Sequence, residues 1–151
     1  VAPKSRRLAR GRVAFSAYWS KCDFGAISLA DQQIVPFDFV QHNEGNGFDP
    51  NSHTFICPLT GTYFFTHTVA GWHYKVETEI VLEGIQKAVL TTGNPHDENL
   101  QSSYSVLFRC QQGQRVWVRV WHGYGIGIEC SGVQFTSFSG FLLWEDDIGS
   151  S

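Results

Sequence analysis

The sequence predicts an all-β protein, a sandwich or barrel of short antiparallel strands. Three observations lead there. No stretch of useful length repeats its apolar residues with a helical period, whereas several runs alternate apolar and polar residues with period two. Turn residues separate those runs, among them 15 glycines and 5 prolines, and they punctuate strands of the length a sandwich or barrel uses. Charged residues make up only 17% of the chain and aromatics 15%. That balance suits a turn-rich β protein, and 151 residues suit one domain with a sizeable core.

The first twelve residues, VAPKSRRLARGR, have no apolar periodicity. They read as a flexible basic segment, either a linker or processing remnant or an arm for anionic lipid or polysaccharide. Residues 13–17 form a short strand. Residues 18–29 are mixed, with a break at Gly25, and 33–40 form a strand. Asn43, Gly45, Asn46 and Gly47 then break the chain, because these residues tolerate left-handed backbone or bond their own main chain. Phe48-Asp49-Pro50 turns it again. Phe55, Tyr63 and Phe65 return an aromatic face with Gly61 as the pivot, and 63–69 alternate well enough to be a central strand.

Gly71-Trp72-His73-Tyr74 is a loop with exposed aromatics. Residues 76–82 form a strand that turns at Glu83-Gly84 into 88–90. Residues 92–100, polar and carrying Gly93 and Pro95, are a loop. Residues 103–108 and 115–121 read as a hairpin pair around Gln111-Gln112-Gly113-Gln114. Gly123, Gly125 and Gly127 interleave with Tyr124, Ile126 and Ile128, which either lets another backbone come close or makes a mobile loop. Residues 135–144 close the fold. The domain therefore spans 13–144, between a basic segment at 1–12 and an acidic, polar tail at 145–151.

Charge and motifs exclude several functions. Five of the eleven basic residues fall in the first twelve positions, leaving six against fourteen acidic residues and a balance of −8 over 13–151. A body that acidic is a poor partner for nucleic acid. No apolar run approaches the roughly 20 residues of a membrane helix, so no membrane insertion is expected. No signal peptide and no initiator Met are present, so the chain reads as mature or trimmed. No nucleophile elbow, paired-histidine zinc helix, P-loop or EF-hand loop occurs. The six histidines suggest no particular catalytic grouping, and the chain is expected not to be an enzyme. There is no N-glycosylation sequon.

Phe37, Asn43, Phe48, Phe55, Gly61, Tyr63 and Phe65 stand at the spacing that marks the globular head domain of complement C1q, and the chain resembles that family. His67 departs from it, since the family pattern ends in Phe or Tyr there. Val13-Ala14-Phe15-Ser16-Ala17 resembles the family's opening strand. Ser105-Val106-Leu107, followed by Gly113, Val116 and Trp117, resembles its late hairpin, with Gln114 where Asp is usual. Ser137-Phe138-Ser139-Gly140-Phe141-Leu142-Leu143 resembles its closing strand. The motifs run in order from Val13 to Leu143. The resemblance implies a two-sheet antiparallel jelly-roll sandwich of the tumour-necrosis-factor/C1q type, assembled as a homotrimer. No Gly-X-Y repeat occurs in these residues, so the expectation is a stalkless member.

Phe37, Tyr63, Phe65, His67, Trp117 and Phe141 are expected in the core or the trimer interface. Around Tyr63, Phe64, Phe65 and His67 both sides of the strand are rich in aromatics. One side can fill the core, and a subunit interface can bury the other. Loops packed over both faces would bury them as well.

Two loop groups carry binding chemistry: Trp72, His73 and Tyr74, and Trp121, His122 and Tyr124 beside Arg119. Aromatic faces stack on sugar rings, and His and Arg donate to hydroxyls or phosphate. Each residue taken singly reads as an ordinary loop aromatic, but three copies on one rigid face gain by avidity on a repetitive surface. Relatives that bind calcium carry acidic residues in the loop holding Asp97 and Glu98. Leu100 stands where an aligned Asp would be, so those two are the candidate calcium ligands, and a solvated loop is the plainer alternative.

Four cysteines at Cys22, Cys57, Cys110 and Cys130 lack the paired spacing of a zinc site. In a secreted chain they can form two disulfides or stay reduced. The topology implied by the resemblance places Cys22 near Cys130 and Cys57 near Cys110.

The expected function is that of a secreted innate-immune recognition protein, lectin-like, binding microbial polysaccharide or lipopolysaccharide. The alternatives are a cytokine-like or hormone-like trimeric ligand of a cell-surface receptor, and a structural trimerisation head of an extracellular assembly.

Overall fold

The computed structural model describes residues 11–20, 26–71, 75–93, 96, 100–121, 125–129 and 136–147. Among these residues twelve strands are formed: β1 Ala14–Tyr18, β2 Ala26–Leu29, β3 Phe39–Glu44, β4 Phe48–Asp49, β5 Thr54–Ile56, β6 Gly61–Gly71, β7 Val76–Leu82, β8 Ile85–Thr92, β9 Leu100–Cys110, β10 Arg115–Val120, β11 Gly125–Glu129 and β12 Ser137–Glu145. Every pairing is antiparallel. Seven strands form one sheet in the order β2-β11-β6-β12-β1-β3, with β9 also paired to β6. Five form the other, in the order β4-β5-β10-β7-β8. The result is the expected two-sheet sandwich.

β6 is the hub of the large sheet. Along it Tyr63, Phe65, His67 and Val69 are buried, while Thr62, Phe64, Thr66 and Thr68 between them are half-buried. The period of two sends the first set between the sheets. There Phe15, Phe48, Phe55, Phe65 and Phe138 form a continuous ring cluster, with Phe15 stacked 4.8 Å from Phe55 and edge-on 4.9 Å from Phe138. Phe37 joins through Phe138 at 5.8 Å. The small sheet contributes Ile80, Val116, Val118 and Val120.

Local chemistry sets the turns. Asn43 accepts from the Phe48 amide at 3.0 Å and donates to the Phe48 carbonyl at 2.8 Å, closing a turn in which Gly45 and Asn46 have φ of 85° and 53°. Glu83 and Gly84, at φ 50° and 80°, make the two-residue hairpin between β7 and β8.

Gly61 is needed for a different reason. A Cβ there would meet the Trp144 carbonyl oxygen at 2.3 Å, where β12 shifts register between Leu142 and Trp144. Backbone cannot yield as a side-chain tip can, so Gly61→Ala is expected to destabilise the fold by about 1–3 kcal/mol or more, read as a lowered midpoint in urea.

Several sequence expectations change. Residues 33–40 are not one strand. Val35 and Gln33 dock on β10 through single bonds and the Ile34–Arg119 bridge, and β3 begins at Phe39. β9 and β10 are not a paired hairpin: β9 pairs with β6 in the large sheet, and β10 with β7 and β5 in the small one. The turn at Gln111-Gln112-Gly113-Gln114 therefore carries the chain between sheets. The glycine-interleaved stretch contains β11, which pairs with β2 and meets β6 at Ile128–Gly71, so the loop alternative gives way to a strand. Strand also extends into the expected loop and tail, with β8 reaching Thr92, β9 starting at Leu100 and β12 ending at Glu145.

Candidate functional site

Two surfaces of the sandwich carry side chains available to a partner. The first is the outer face of the large sheet. Register aligns its outward residues into rows that cross β9, β6, β12 and β1. One row is apolar: Leu107, Phe64, Phe141 and Ala14. Phe64 and Phe141 meet at 5.3 Å, while Leu107 and Phe141 remain 56% and 42% exposed. Trp144 and Leu143 lie just beyond, at 60% and 38%.

The next row is Ser105, Thr66, Ser139 and Ser16, and the one after it Ser103, Thr68, Ser137 and Tyr18. Their hydroxyls bond along the rows. Ser105 donates to Thr66 at 3.0 Å, Ser139 to Ser16 at 2.9 Å, and Thr68 and Ser103 share a bond of 2.6 Å. Charge enters at the margins, with His42 and Glu44 on β3 and the Arg109–Asp146 pair at 2.7 Å.

The second surface is the outer face of the small sheet. On β10 the valines at 116, 118 and 120 are buried, so Trp117 and Arg119 face outward and are half-buried. Trp121 follows, also half-buried. Trp117 therefore lies neither in the core nor on the apolar face of the large sheet.

Arg119 is held by three hydrogen bonds to two residues. Its Nε and Nη2 each donate to Glu79 Oε1 at 3.1 Å, and Nη2 donates to the Gly84 carbonyl at 3.1 Å. Gln86 donates to the other Glu79 oxygen at 3.1 Å. Glu79 is 2% exposed. The guanidinium is thus committed to a buried carboxylate, and a role in gripping a ligand would require breaking that pair.

Of the other expected site residues, Phe37, Tyr63, Phe65 and His67 lie in the core and Phe141 on the apolar row. Trp72, His73, Tyr74, His122, Tyr124, Asp97, Glu98, Cys22 and Cys130 lie outside the described residues. Among the described residues no group of three or more His, Cys, Asp or Glu side chains is arranged to hold a metal. Cys57 and Cys110 are buried together as free thiols. The sequence alone gives Thr66, Ser105, Leu107 and Trp144 no site role, Ser105 and Leu107 standing out only within the family's late-hairpin motif. Their signal is alternation: each faces away from the aromatic set that fills the core.

His67 occupies the family's aromatic position inside the sandwich. Its Nε2 pairs with the Thr78 hydroxyl at 3.0 Å, and Nδ1 has no hydrogen-bond partner. Burial pushes its pKa down to about 3. The unfolded chain binds the proton more readily, near pH 6.5, so stability is full above that pH and falls as pH drops toward 3. The loss is about 2 kcal/mol at pH 5. His67→Phe is expected to remove most of this slope, measured as urea midpoints between pH 4.5 and 7.5.

Comparison with known proteins agrees with this geometry. The C1q domain family model matches residues 14–143. Caprin-2 of Danio rerio is 36% identical over 143 residues, 92% of this chain and 15% of that protein. Complement C1q tumor necrosis factor-related protein 6 of Mus musculus is 33% identical over 113 residues, 74% of this chain and 43% of that protein. The chain thus spans less than half the length of these relatives. Among solved structures, the globular domain of zebrafish complement 1qA protein superposes with a TM-score of 0.66 at 17% identity, covering 89% of this chain and 99% of that one. Murine APRIL at pH 5.0 gives 0.67 at 14%, covering 87% and 99%. At those identities the structures speak for the jelly-roll fold alone. With nearly all of its β-sandwich inside the matched span, this chain belongs to the C1q domain family.

Proposed function

We propose that this chain is a secreted, non-catalytic recognition domain that assembles as a homotrimer through the outer face of its large sheet. The trimer would present loop aromatics to microbial surface polysaccharide or lipopolysaccharide. One observation carries the assembly: the row of Leu107, Phe64 and Phe141, continued by Leu143 and Trp144, which a single chain leaves in water. Soluble domains rarely expose so many contiguous large apolar side chains without a partner to cover them. C1q-domain proteins typically trimerise and are generally not enzymes, which supports the same reading.

The glycan part rests on chemistry. Trp121 at the end of β10, with Trp72, His73, Tyr74, His122 and Tyr124, supplies stacking faces and donors, and three copies would bind a repetitive surface by avidity. Calcium at Asp97 and Glu98 is a separable part of the proposal.

Light scattering with and without chelator tests the assembly, and pull-down on mannan and lipopolysaccharide at low salt tests the ligand. A trimer that retains mannan supports both parts. A trimer indifferent to chelator removes calcium, and a monomer that captures no glycan sinks the proposal.

A second reading is favoured by Arg119. With its guanidinium spent on Glu79 and residues 13–151 at −8, the body of the domain has little positive charge for an anionic glycan. A trimeric ligand for a cell-surface receptor needs none. Saturable binding to host cells that survives competition by mannose and by lipopolysaccharide would favour it.

A further inference from the structure

Cys57 and Cys110 come from different sheets. Cys57 follows β5 of the small sheet, and Cys110 ends β9 of the large one. Their backbones are tied at the same rim. The Cys57 amide donates to the Gln114 carbonyl at 2.9 Å, and the Gly113 amide donates to the Cys57 carbonyl at 2.8 Å. Both bonds hold Cys57 against the turn that begins one residue after Cys110. On the other side, Cys110 pairs with Gly61, four residues beyond Cys57.

The side chains meet between these ties. Cys57 Sγ lies 3.1 Å from the Leu59 carbonyl and 3.5 Å from the carbonyl of Cys110 itself, so its side chain is turned toward Cys110. Tyr63 closes the site from the β6 side, its hydroxyl donating to the same Leu59 carbonyl at 2.6 Å. Neither sulfur is reached by solvent, since Cys57 is 1% and Cys110 0% exposed.

We infer that Cys57 and Cys110 are a redox pair whose disulfide staples the two sheets together at this rim. The arrangement is more specific than two apolar fillers require. Cys57 Sγ already reaches the Cys110 main chain at 3.5 Å, on backbones fixed by ladder and turn bonds, which places the two side chains within reach of the roughly 2 Å bond of a disulfide. The bond closes a loop spanning a sequence separation of 53 residues, long enough for a large restriction of the unfolded chain.

Because the sulfurs are sealed in the finished core, oxidation belongs to folding, before the rim closes. The oxidant is a small-molecule disulfide such as oxidised glutathione. One cysteine thiolate attacks a glutathione sulfur, breaking its S–S bond and releasing one glutathione thiolate. The second cysteine thiolate attacks the resulting mixed disulfide at the protein sulfur and releases the other. Two electrons pass from the cysteines to the oxidant, and the two cysteine protons end on the two glutathiones. In the folded site the neighbouring Cys110 lowers the pKa of Cys57, while Cys57 and burial raise that of Cys110, and both sulfurs stay sealed from solvent. Reduction of the folded protein is accordingly slow until the rim opens.

The test is to refold the full chain in a glutathione redox buffer, block free thiols and map peptides without reduction. The expected result is the Cys57 peptide linked to the Cys110 peptide. The oxidised protein is then expected to melt on the order of 10 °C above the dithiothreitol-reduced one. Cys110→Val keeps an apolar side chain at the site, and it should remove the share of that difference due to this bond while Cys22 and Cys130 remain. Both thiols alkylated after oxidising refolding would overturn the inference. So would Cys57 recovered with Cys22 or Cys130, or a redox-dependent melting shift undiminished in Cys110→Val.

Discussion

Arg119→Ala is expected to cost about 3–5 kcal/mol of folding stability. The reason is what it leaves behind. Glu79 is 2% exposed, and its Oε1 accepts both Arg119 bonds while Gln86 holds Oε2. Without the guanidinium, a carboxylate stays buried with no cation beside it, and the Gly84 carbonyl loses its donor as well. The chain must then protonate Glu79, admit water or unfold. A double variant separates pair from packing. Glu79→Gln combined with Arg119→Ala should recover more than half the loss, because a neutral amide costs far less to bury. Chemical denaturation of the three variants reads this directly. A loss below about 1 kcal/mol, the range of exposed ion pairs, would mean that the pair is solvated and that Arg119 is free to bind ligand.

Phe141→Asp is expected to convert the proposed trimer to monomers of 17.0 kDa with little effect on the fold of each chain. Phe141 is 42% exposed and rests on Phe64, so the substitution should change monomer stability by no more than about 1 kcal/mol. In the proposed assembly the same position would bring three carboxylates into an apolar contact, where burying unpaired charge costs several kcal/mol per ion. The checking measurement is mass by light scattering across the micromolar range, with circular dichroism to verify the β fold. A threefold drop in mass with an unchanged spectrum is the expected outcome. Retained trimer would place the interface on another face and leave Leu107 and Trp144 without a role.

Much of this architecture is written in side-chain alternation. β6 spells out buried and outward residues from Thr62 to Val69, and the aromatic spacing from Phe37 to Phe65 carries the ring cluster. What alternation does not carry is which strands pair. The segments that became β9 and β10 look like a hairpin because a short turn joins two regular strands. They separate because Leu107 and Phe64 share one face of the large sheet while Val116, Val118 and Val120 belong to the small one. β11 was hidden for a related reason: glycine at every second position removes the side chains from which strand is ordinarily read. Arg119 misled differently. A cation among aromatics suggests a ligand site, and only the cross-strand register with Glu79 reveals that its charge is already answered. Register is a long-range property, and no window of neighbouring residues contains it.

The two hydroxyl rows have a consequence for identity. Ser105, Thr66, Ser139 and Ser16, with Ser103, Thr68 and Ser137, present small groups that both donate and accept and that can rotate to suit what faces them. Selectivity between close relatives needs something that repels the wrong partner, such as a clash or an unpaired charge. In the proposed assembly these rows supply neither, and the charges sit at the margins. A paralogous chain with a similar apolar row would meet no penalty across the middle of the contact. Co-expressed relatives are therefore expected to mix within one trimer, so that a small set of chains yields a larger set of combining surfaces.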